Sequence, residues 1–551
     1  MIEKKISRRD LKKYSTDQSI FSVQPAGVFT PRSSKDIQDL VAYISKEHLG
    51  DSAYSLTARA GGTCMSGGPL NEGIIIDVTR HLGKILSFDK EHRRMWVGTG
   101  AYYRDVEKYL LPHGMLYAPY TSSKDICCIG GMIGNNASGE KSFRYGANRD
   151  NVRSVRMVCA DGNEYLFGPL SNFEVEKKKK LDTFEGNLYR EMTRLYELHE
   201  KNLTSIYPHV RKNSAGYALN TVYNEQKKEW NLAKLLVGSQ GTLGIITSAE
   251  IEVVPIAPHT ALFALPIDSF EDVPDIIDDV TKETPDTIEV YDKKTLELSC
   301  AGNKKVHARL SHLLPYRAVL LVEYTASTLA DLERKTKEFK AVCGMKGIAF
   351  EGPLDPETTL FHWETRRNSF RLLKSYVTEG VPVPIIEDIS VARSELGGLF
   401  DDLDAIMDTY GFEYVFHGHI ADGSIRVFPV VDLAKPGAVK KLLDATRDVF
   451  EMVIQRGGTI STDHNDGIVR TPFLPLQYNK ETLRMFKEIK RAFDPQNIFN
   501  PNKKLSVTKT YLKNAIKKEL TMAPVLSIFS RVLSPFRTLF TQSRTQDTHD
   551  Q

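Results

Sequence analysis

At 551 residues the chain exceeds what a single hydrophobic core organises, so two or three domains are expected. With 41% hydrophobic and 26% charged residues it has the make-up of an ordinary globular protein, and 73 basic against 70 acidic residues leave a formal charge of +3, which gives no reason to expect nucleic acid as a partner. Residues 1–14 are charged without an apolar stretch and no apolar run is long enough to span a bilayer, so the cytoplasm is the expected compartment. The cysteines Cys64, Cys127, Cys128, Cys159, Cys300 and Cys343 form no CxxC pair, which argues against a zinc site or an iron–sulfur cluster.

In chain order, the Pro31–Ser34 cluster followed by Ile37, Leu40, Val41 and Ile44 predicts a capped amphipathic helix. Ser55–Ala58 reads as a strand running into a glycine-rich turn, Arg59–Gly68 (RAGGTCMSGG), and Ile74–Asp77 reads as the strand after it. Such a turn lets backbone N–H groups approach a phosphate that side chains would hold off. Met95–Gly98 and Val155–Val158 are further strands, separated by a second glycine-rich segment, Ile129–Tyr145 (IGGMIGNNASGEKSFRY). The four consecutive lysines Lys177–Lys180 predict a solvated loop over Phe173–Asp182. Leu235–Val237 and Ile245–Val254 read as strands flanking a third glycine turn within Val237–Thr247 (VGSQGTLGIIT).

From about Pro258 strands and helices alternate: Leu262–Leu265, Glu271–Val280, Thr287–Val290, Ala318–Tyr324 and Leu329–Val342. This pattern predicts helices packed on an antiparallel sheet. After about Gln455 the chain is expected to return to its first half, carrying a fourth segment, Phe493–Lys503 (FDPQNIFNPNK). Beyond Ser506, the apolar residues between Val525 and Phe540 lie mostly on one helical stripe, and Lys513, Lys517, Lys518, Arg531, Arg537 and Arg544 add positive charge. The tail reads as a basic amphipathic helix that docks on a membrane surface, on a partner or on the protein itself.

The four glycine- and asparagine-rich segments, in this order, resemble the FAD-binding fold shared by vanillyl-alcohol oxidase and para-cresol methylhydroxylase, in the branch of D-lactate, glycolate and D-2-hydroxyglutarate dehydrogenases. The resemblance implies an α+β fold. It gives a two-subdomain FAD-binding domain over 1–257, an αβ antiparallel-sheet substrate (cap) domain over 258–455, a return to the FAD domain over 456–505 and a basic tail over 506–551. It assigns the pyrophosphate to Arg59, Gly61, Gly62, Thr63, Ser66 and Gly67, and the ribityl chain and ring to Ser122, Ser123, Gly130, Gly131, Asn135, Ser138, Gly139 and Gly146. The adenine half falls to Gly241, Gly244 and Ile246, while Asn500 returns to the flavin. Thr63 stands where some relatives attach flavin through a histidine, so non-covalent FAD is expected. Gln240, Cys128 and Tyr120-Thr121 depart from the family's usual Glu, Thr and Asp-Pro, and Cys127 and Cys128 read as buried structural residues.

Oxidising a 2-hydroxy acid requires a base for the hydroxyl proton and a cation for the carboxylate. His417–Arg426 (HGHIADGSIR) resembles the family motif GHxGDGNxH, and Gly457–His464 (GGTISTDH) resembles GGSISGEH. In metal-dependent members the two histidines of the first motif and the glutamate of the second hold a divalent ion, and the final histidine is the base. Here His419 and His464 are kept, Arg426 replaces the second histidine and Asp463 replaces the glutamate. A guanidinium stays protonated and cannot ligate, so the pattern argues against a divalent metal, and Arg426 is expected to take over part of its electrostatic role. His464 is the expected base. Arg366 in Trp363–Arg366, with Arg367 as its alternative, resembles an arginine that clamps the substrate carboxylate. Glu387 and Asp388 read as structural support and Tyr217 as a core residue.

The activity this resemblance implies is FAD-dependent oxidation of a D-2-hydroxy acid of the D-lactate, glycolate or D-2-hydroxyglutarate type. Electrons would leave to a separate acceptor: a quinone, an electron-transfer flavoprotein or an iron–sulfur subunit. Peripheral contact of 506–551 with the inner face of the membrane is one reading of the tail. Two other readings stay open: an FAD enzyme of another substrate class, such as an alkylglycerone-phosphate synthase or a sugar oxidase, and a flavin-carrying subunit that docks an iron–sulfur partner.

Overall fold

The computed structural model describes residues 8–47, 54–376 and 380–521. Three short strands, β1 (Gly27–Phe29), β2 (Leu56–Arg59) and β3 (Ile74–Asp77), pair in parallel with β3 in the middle. The run Ile74-Ile75-Ile76 suits that place, because a strand covered on both faces needs no polar alternation. Helix α1 (Ser34–Glu47) buries Ile37, Leu40, Val41 and Ile44 in the same cluster as Leu56, Ile74 and Ile76.

A second, antiparallel sheet contains β4 (Ile85–Asp89), β5 (Arg94–Gly98), β6 (Val152–Val158), β7 (Glu164–Phe167) and β8 (Ile245–Glu252), in the order β4-β5-β8-β6-β7. Between β5 and β6 lies α2 (Ile129–Asn135). A Cβ on its Gly130 would stand 2.6 Å from the Thr99 Cβ, so only glycine lets α2 lie this close to the end of β5.

The third sheet is a seven-stranded antiparallel one. It contains β9 (His259–Ile267), β10 (Thr287–Asp292), β11 (Ala318–Ala326), β12 (Val381–Pro382), β13 (Ile389–Ser390), β14 (Tyr414–His419) and β15 (Ser424–Val431). Its order is β9-β11-β10-β14-β15-β12, with β13 on β15, and the long helix α3 (Pro356–Tyr376) runs beside it. Ion pairs join the two halves. Glu140 and Lys141 after α2, and Arg144 in the short helix Ser142–Tyr145, meet Arg367, Glu323 and Asp286 of the second half.

After the third sheet the chain lies back along the first: Leu56 N donates to Ile498 O at 2.7 Å and Asn500 N donates to Leu56 O at 2.8 Å. The described start of the tail packs on the protein itself. Leu512, Ala515 and Ile516 are buried, and Lys517 Nζ donates to Ser19 O. The apolar stripe from Val525 to Phe540 lies outside the described residues.

Two local expectations are corrected. The lysine-rich segment is a helix, Asn172–Lys179, not a loop. Ser171 and Glu174 close a capping box at its start, and its lysines sit in the last turn, where the helix dipole favours cations. Leu235–Val237 is not a strand. Ala233–Leu236 forms a single helical turn, started by the Asn231 side chain accepting from Ala233 N at 2.9 Å.

Candidate active site

Two connected hollows lie in the protein, the first within the first half and the second between the halves. The first is walled by the glycine turns: Gly61, Gly62 and Thr63 after β2, Gly130, Gly131 and Asn135 on α2, and Gly241, Gly244 and Ile246 before and in β8. Gly131, Gly134 and Asn135 fall on one face of α2. A Cβ built on Gly134 would meet nothing within 4 Å, and one on Gly131 only the Ala60 Cβ at 3.6 Å. Side chains there would project into the hollow, so the space exists because glycine leaves it. An extended, backbone-lined cleft of this kind fits a dinucleotide such as FAD.

Arg59 itself lines the cleft, and its guanidinium donates to Thr16 O at 2.7 Å and to Tyr14 O and lies over the Tyr14 ring. Other residues expected at the flavin stand behind this wall. Ser66 Oγ donates to His464 O at 2.8 Å, and Gly67 packs against Phe21 and Ile468. Gly139 allows close approach to Tyr120 O, and Gly146, with φ of 78°, ends a short helix away from both hollows. Asn500 does not line the cleft either; its amide donates to Gly68 O at 3.0 Å and Gln240 O at 2.7 Å and so ties two glycine turns together. Cys127 and Cys128 are buried, and Tyr217 is a core residue whose hydroxyl meets Thr242 at 2.7 Å.

The second hollow, about 470 Å³, shares Thr63, Cys64, Gly131 and Asn135 with the first. Ser122, Ser123 and Ser138 line it, as do Arg366, Arg426, His419, Asp463 and His464. The strand periodicity explains part of this convergence. His417 and His419 alternate onto one face of β14, and Arg426 on β15 lies directly opposite His417. Helix α3 brings Arg366 and Arg367, and the loop before Asn465 brings Asp463 and His464. That loop is shaped by Asp388, which takes φ of 80° and accepts the backbone N–H groups of Thr462, Asp463 and His464 at 2.8–2.9 Å.

Two histidines are each oriented by a carboxylate. His464 Nδ1 lies 2.5 Å from Glu387, and His419 Nδ1 lies 2.5 Å from Glu289. With Nδ1–H assigned to the carboxylate, each Nε2 is free on the other side of the ring. Burial would raise the Glu387 carboxyl, but His464 and Arg470 bring it down to about 2. Glu289 also holds Arg366 at 2.5 Å. Asp463 binds Arg426 Nη2 at 2.6 Å and accepts from Ser138; against the effect of burial, Lys212 and Arg426 keep it well below the usual carboxylate range. Burial lowers His419, and lowers His417 further with the help of Arg366 and Arg426, so both imidazoles stay neutral. Arg367 is not a second clamp: it grips Glu140 at 2.9 and 2.5 Å.

Three of these partners were not read from sequence: Glu289, Lys212 and Arg470. Glu289 carried a signal, a carboxylate in the middle of an otherwise buried strand, TIEVYD. Lys212 and Arg470 carried none.

Comparisons with known proteins bear on the family of the chain. Residues 25–166 match the family described as FAD binding domain, and residues 256–504 match that described as FAD linked oxidases, C-terminal domain. The chain belongs to the FAD-linked oxidases. FAD is its cofactor, and the curated proteins it resembles include D-2-hydroxyglutarate dehydrogenases, a D-lactate dehydrogenase and glycolate oxidase subunits. This FAD-linked oxidase is 27% identical over 505 residues to the D-2-hydroxyglutarate dehydrogenase of Pantoea ananatis, covering 89% of the chain and 49% of that protein. The chain therefore spans about half the length of that relative. It is also 27% identical to the glycolate oxidase subunit GlcD of Bacillus subtilis, covering 88% of the chain and 89% of the subunit. Substrate-bound p-cresol methylhydroxylase shares the fold, with a TM-score of 0.66 at 14% identity over 91% of this chain and 93% of that one.

Proposed function

We propose that this FAD-linked oxidase oxidises a D-2-hydroxy acid to the 2-oxo acid. The observation that carries the reading is one hollow, continuous with the flavin cleft, into which two carboxylate-oriented histidines and the guanidinium groups of Arg366 and Arg426 converge. FAD supplies the two-electron acceptor for the α-hydrogen and its electron pair. His464 Nε2 takes the hydroxyl proton, while Glu387 holds the ring in the tautomer that leaves Nε2 open and balances the imidazolium that forms. Arg366, steadied by Glu289, and Arg426, steadied by Asp463, bind the substrate oxygens, and the surrounding protein keeps bulk water away.

In this reading, 1–257 and 456–505 form the FAD-binding unit and 258–455 the cap that carries the substrate groups. Electrons pass on to a separate acceptor, a quinone, an electron-transfer flavoprotein or an iron–sulfur subunit. The names of the relatives support the substrate class, which includes D-2-hydroxyglutarate and glycolate. The test is an anaerobic titration of the purified flavoprotein with D-lactate, glycolate and D-2-hydroxyglutarate. Bleaching of the flavin band by one of them is expected; a normal flavin spectrum that none of them bleaches refutes the reading. For the tail we propose peripheral membrane contact through the basic residues beyond Thr521. Deleting 522–551 should then move the protein to the soluble fraction, and an unchanged distribution would dismiss the contact.

A further inference from the structure

We propose that this chain performs its hydroxy-acid chemistry without a divalent metal, with the Arg426 guanidinium standing where metal-dependent members of the family hold the ion. The inference rests on the hydroxy-acid reading above. Of the three ligand positions implied by the motifs, only His419 keeps its identity. Asp463 is fully engaged: one oxygen takes Arg426 Nη2 at 2.6 Å, and the other accepts from Ser138 and faces Lys212 Nζ at 4.0 Å. His419 Nε2 is 3.7 Å from the oxygen that Arg426 already holds. An ion entering between them would displace a guanidinium from its carboxylate and then sit beside it in a buried site, where like charges repel most strongly.

The carboxylates already have cations without an ion, Arg211 Nε also lying 2.9 Å from Asp422. Arg366, Arg426 and Lys212 face Glu289, Asp463 and Asp422, with Lys212 Nζ 2.7 Å from Asp422. The other histidine–carboxylate group, Glu387, Asp388 and His464, offers no replacement site. Glu387 holds His464 and Arg470, and both Asp388 oxygens accept from the 462–464 loop. Two donors of the hollow are left over, Arg366 Nε and Arg426 Nη1. Arg426 lines the hollow, and its Nη1 is buried without a partner. Nη1 supplies what a Lewis acid would supply: it donates to the substrate's 2-hydroxyl oxygen and stabilises negative charge there as the proton passes to His464 Nε2. The α-hydrogen and its electron pair leave as stated above, so the step needs no further reactant.

The test uses the purified FAD-loaded protein. Elemental analysis after dialysis against EDTA should find only substoichiometric metal, and the anaerobic reduction rate should be unchanged by the chelator. A stoichiometric metal whose removal stops reduction and whose return restores it overturns the inference. Arg426→Gln should slow reduction by about 100- to 1,000-fold with FAD still bound, the loss typical for one preorganised donor; an unchanged rate overturns it. The Arg426→His/Asp463→Glu double variant restores the family's ligand set and should bind one Zn²⁺ in calorimetry where the wild type binds none. A folded double variant that binds no zinc shows that Arg426 does not occupy the ion's place, and if that variant does not fold, the wild-type chelation result still decides. If no hydroxy acid reduces the flavin, the functional reading fails by itself, while metal content and zinc binding still judge this inference.

Discussion

Replacing Glu387 with glutamine tests the base assignment with little change of shape. The carboxylate holds His464 Nδ1 at 2.5 Å and Arg470 Nη2 at 2.5 Å, and it is completely buried. Burial would raise its pKa, yet His464 and Arg470 lower it from 4.5 to about 2. A shift of about 2.5 units corresponds to about 3 kcal/mol of native-state stability. Because the folded value lies below the unfolded one, this contribution is complete above pH 4.5 and is lost as the pH falls towards 2. Glu387→Gln removes it at every pH, so the variant should be about 3 kcal/mol less stable at neutral pH and lose less stability than the wild type on acidification. Without the carboxylate, His464 loses the partner that selects its tautomer and balances its charge, and flavin reduction should slow by about 10²- to 10⁴-fold. Anaerobic stopped-flow absorbance measures the rate, and thermal unfolding of the same sample measures the stability. Glu140→Gln is the control. Glu140 is also held at about 2, by Arg367 against the effect of burial, but does not touch His464, so its loss should cost similar stability and slow reduction far less. Equal reduction rates in Glu387→Gln and wild type would refute the role of His464 as base.

Gly134→Leu should fold with near-normal stability, because a Cβ there meets nothing within 4 Å, yet purify without FAD as the side chain fills the cleft. Flavin absorbance per chain beside the melting temperature checks this, and full flavin occupancy would contradict the placement of the cleft. Asn500→Leu removes buried bonds to Gly68, Gln240 and Thr57 and should cost about 2–4 kcal/mol while loosening FAD, which denaturant unfolding followed by flavin fluorescence would detect. Arg366→Lys should raise KM for the hydroxy acid more than it lowers kcat, because an ammonium cannot hold Glu289 and a carboxylate in one plane; steady-state kinetics showing an unchanged KM would count against the clamp.

The flavin half was legible where the requirement was local. A glycine turn is a local requirement, and Gly61, Gly62, Gly130, Gly131, Gly241 and Gly244 all line the cleft, Gly131 and Gly241 beside open space and Gly61, Gly130 and Gly244 against neighbouring chain. Residues whose role depends on side-chain direction were less legible. Arg59 sits in the first glycine turn, but the direction of its guanidinium follows from the packing of residues 13–16, a neighbourhood its own segment does not encode. The Asn172–Lys179 helix and the turn at Ala233 were missed for a related reason: a cap of one or two side chains outweighed the pattern of charge or apolarity.

The substrate side divides in the same way. The residue types at 419, 426, 463 and 464 are properties of the sequence, which puts an always-charged guanidinium at 426 and an imidazole at 464. Which carboxylate meets which cation was decided only by tertiary structure. Glu289 reaches Arg366 and His419, Lys212 reaches Asp463 and Asp422, and Arg470 reaches Glu387 across 83 residues of chain. Local sequence determines chemistry and backbone shape because both depend on a residue and its near neighbours. Charge pairing in a buried site depends on distances set by two packed halves, so the fold alone decides which of these groups are neutralised and which remain free to act.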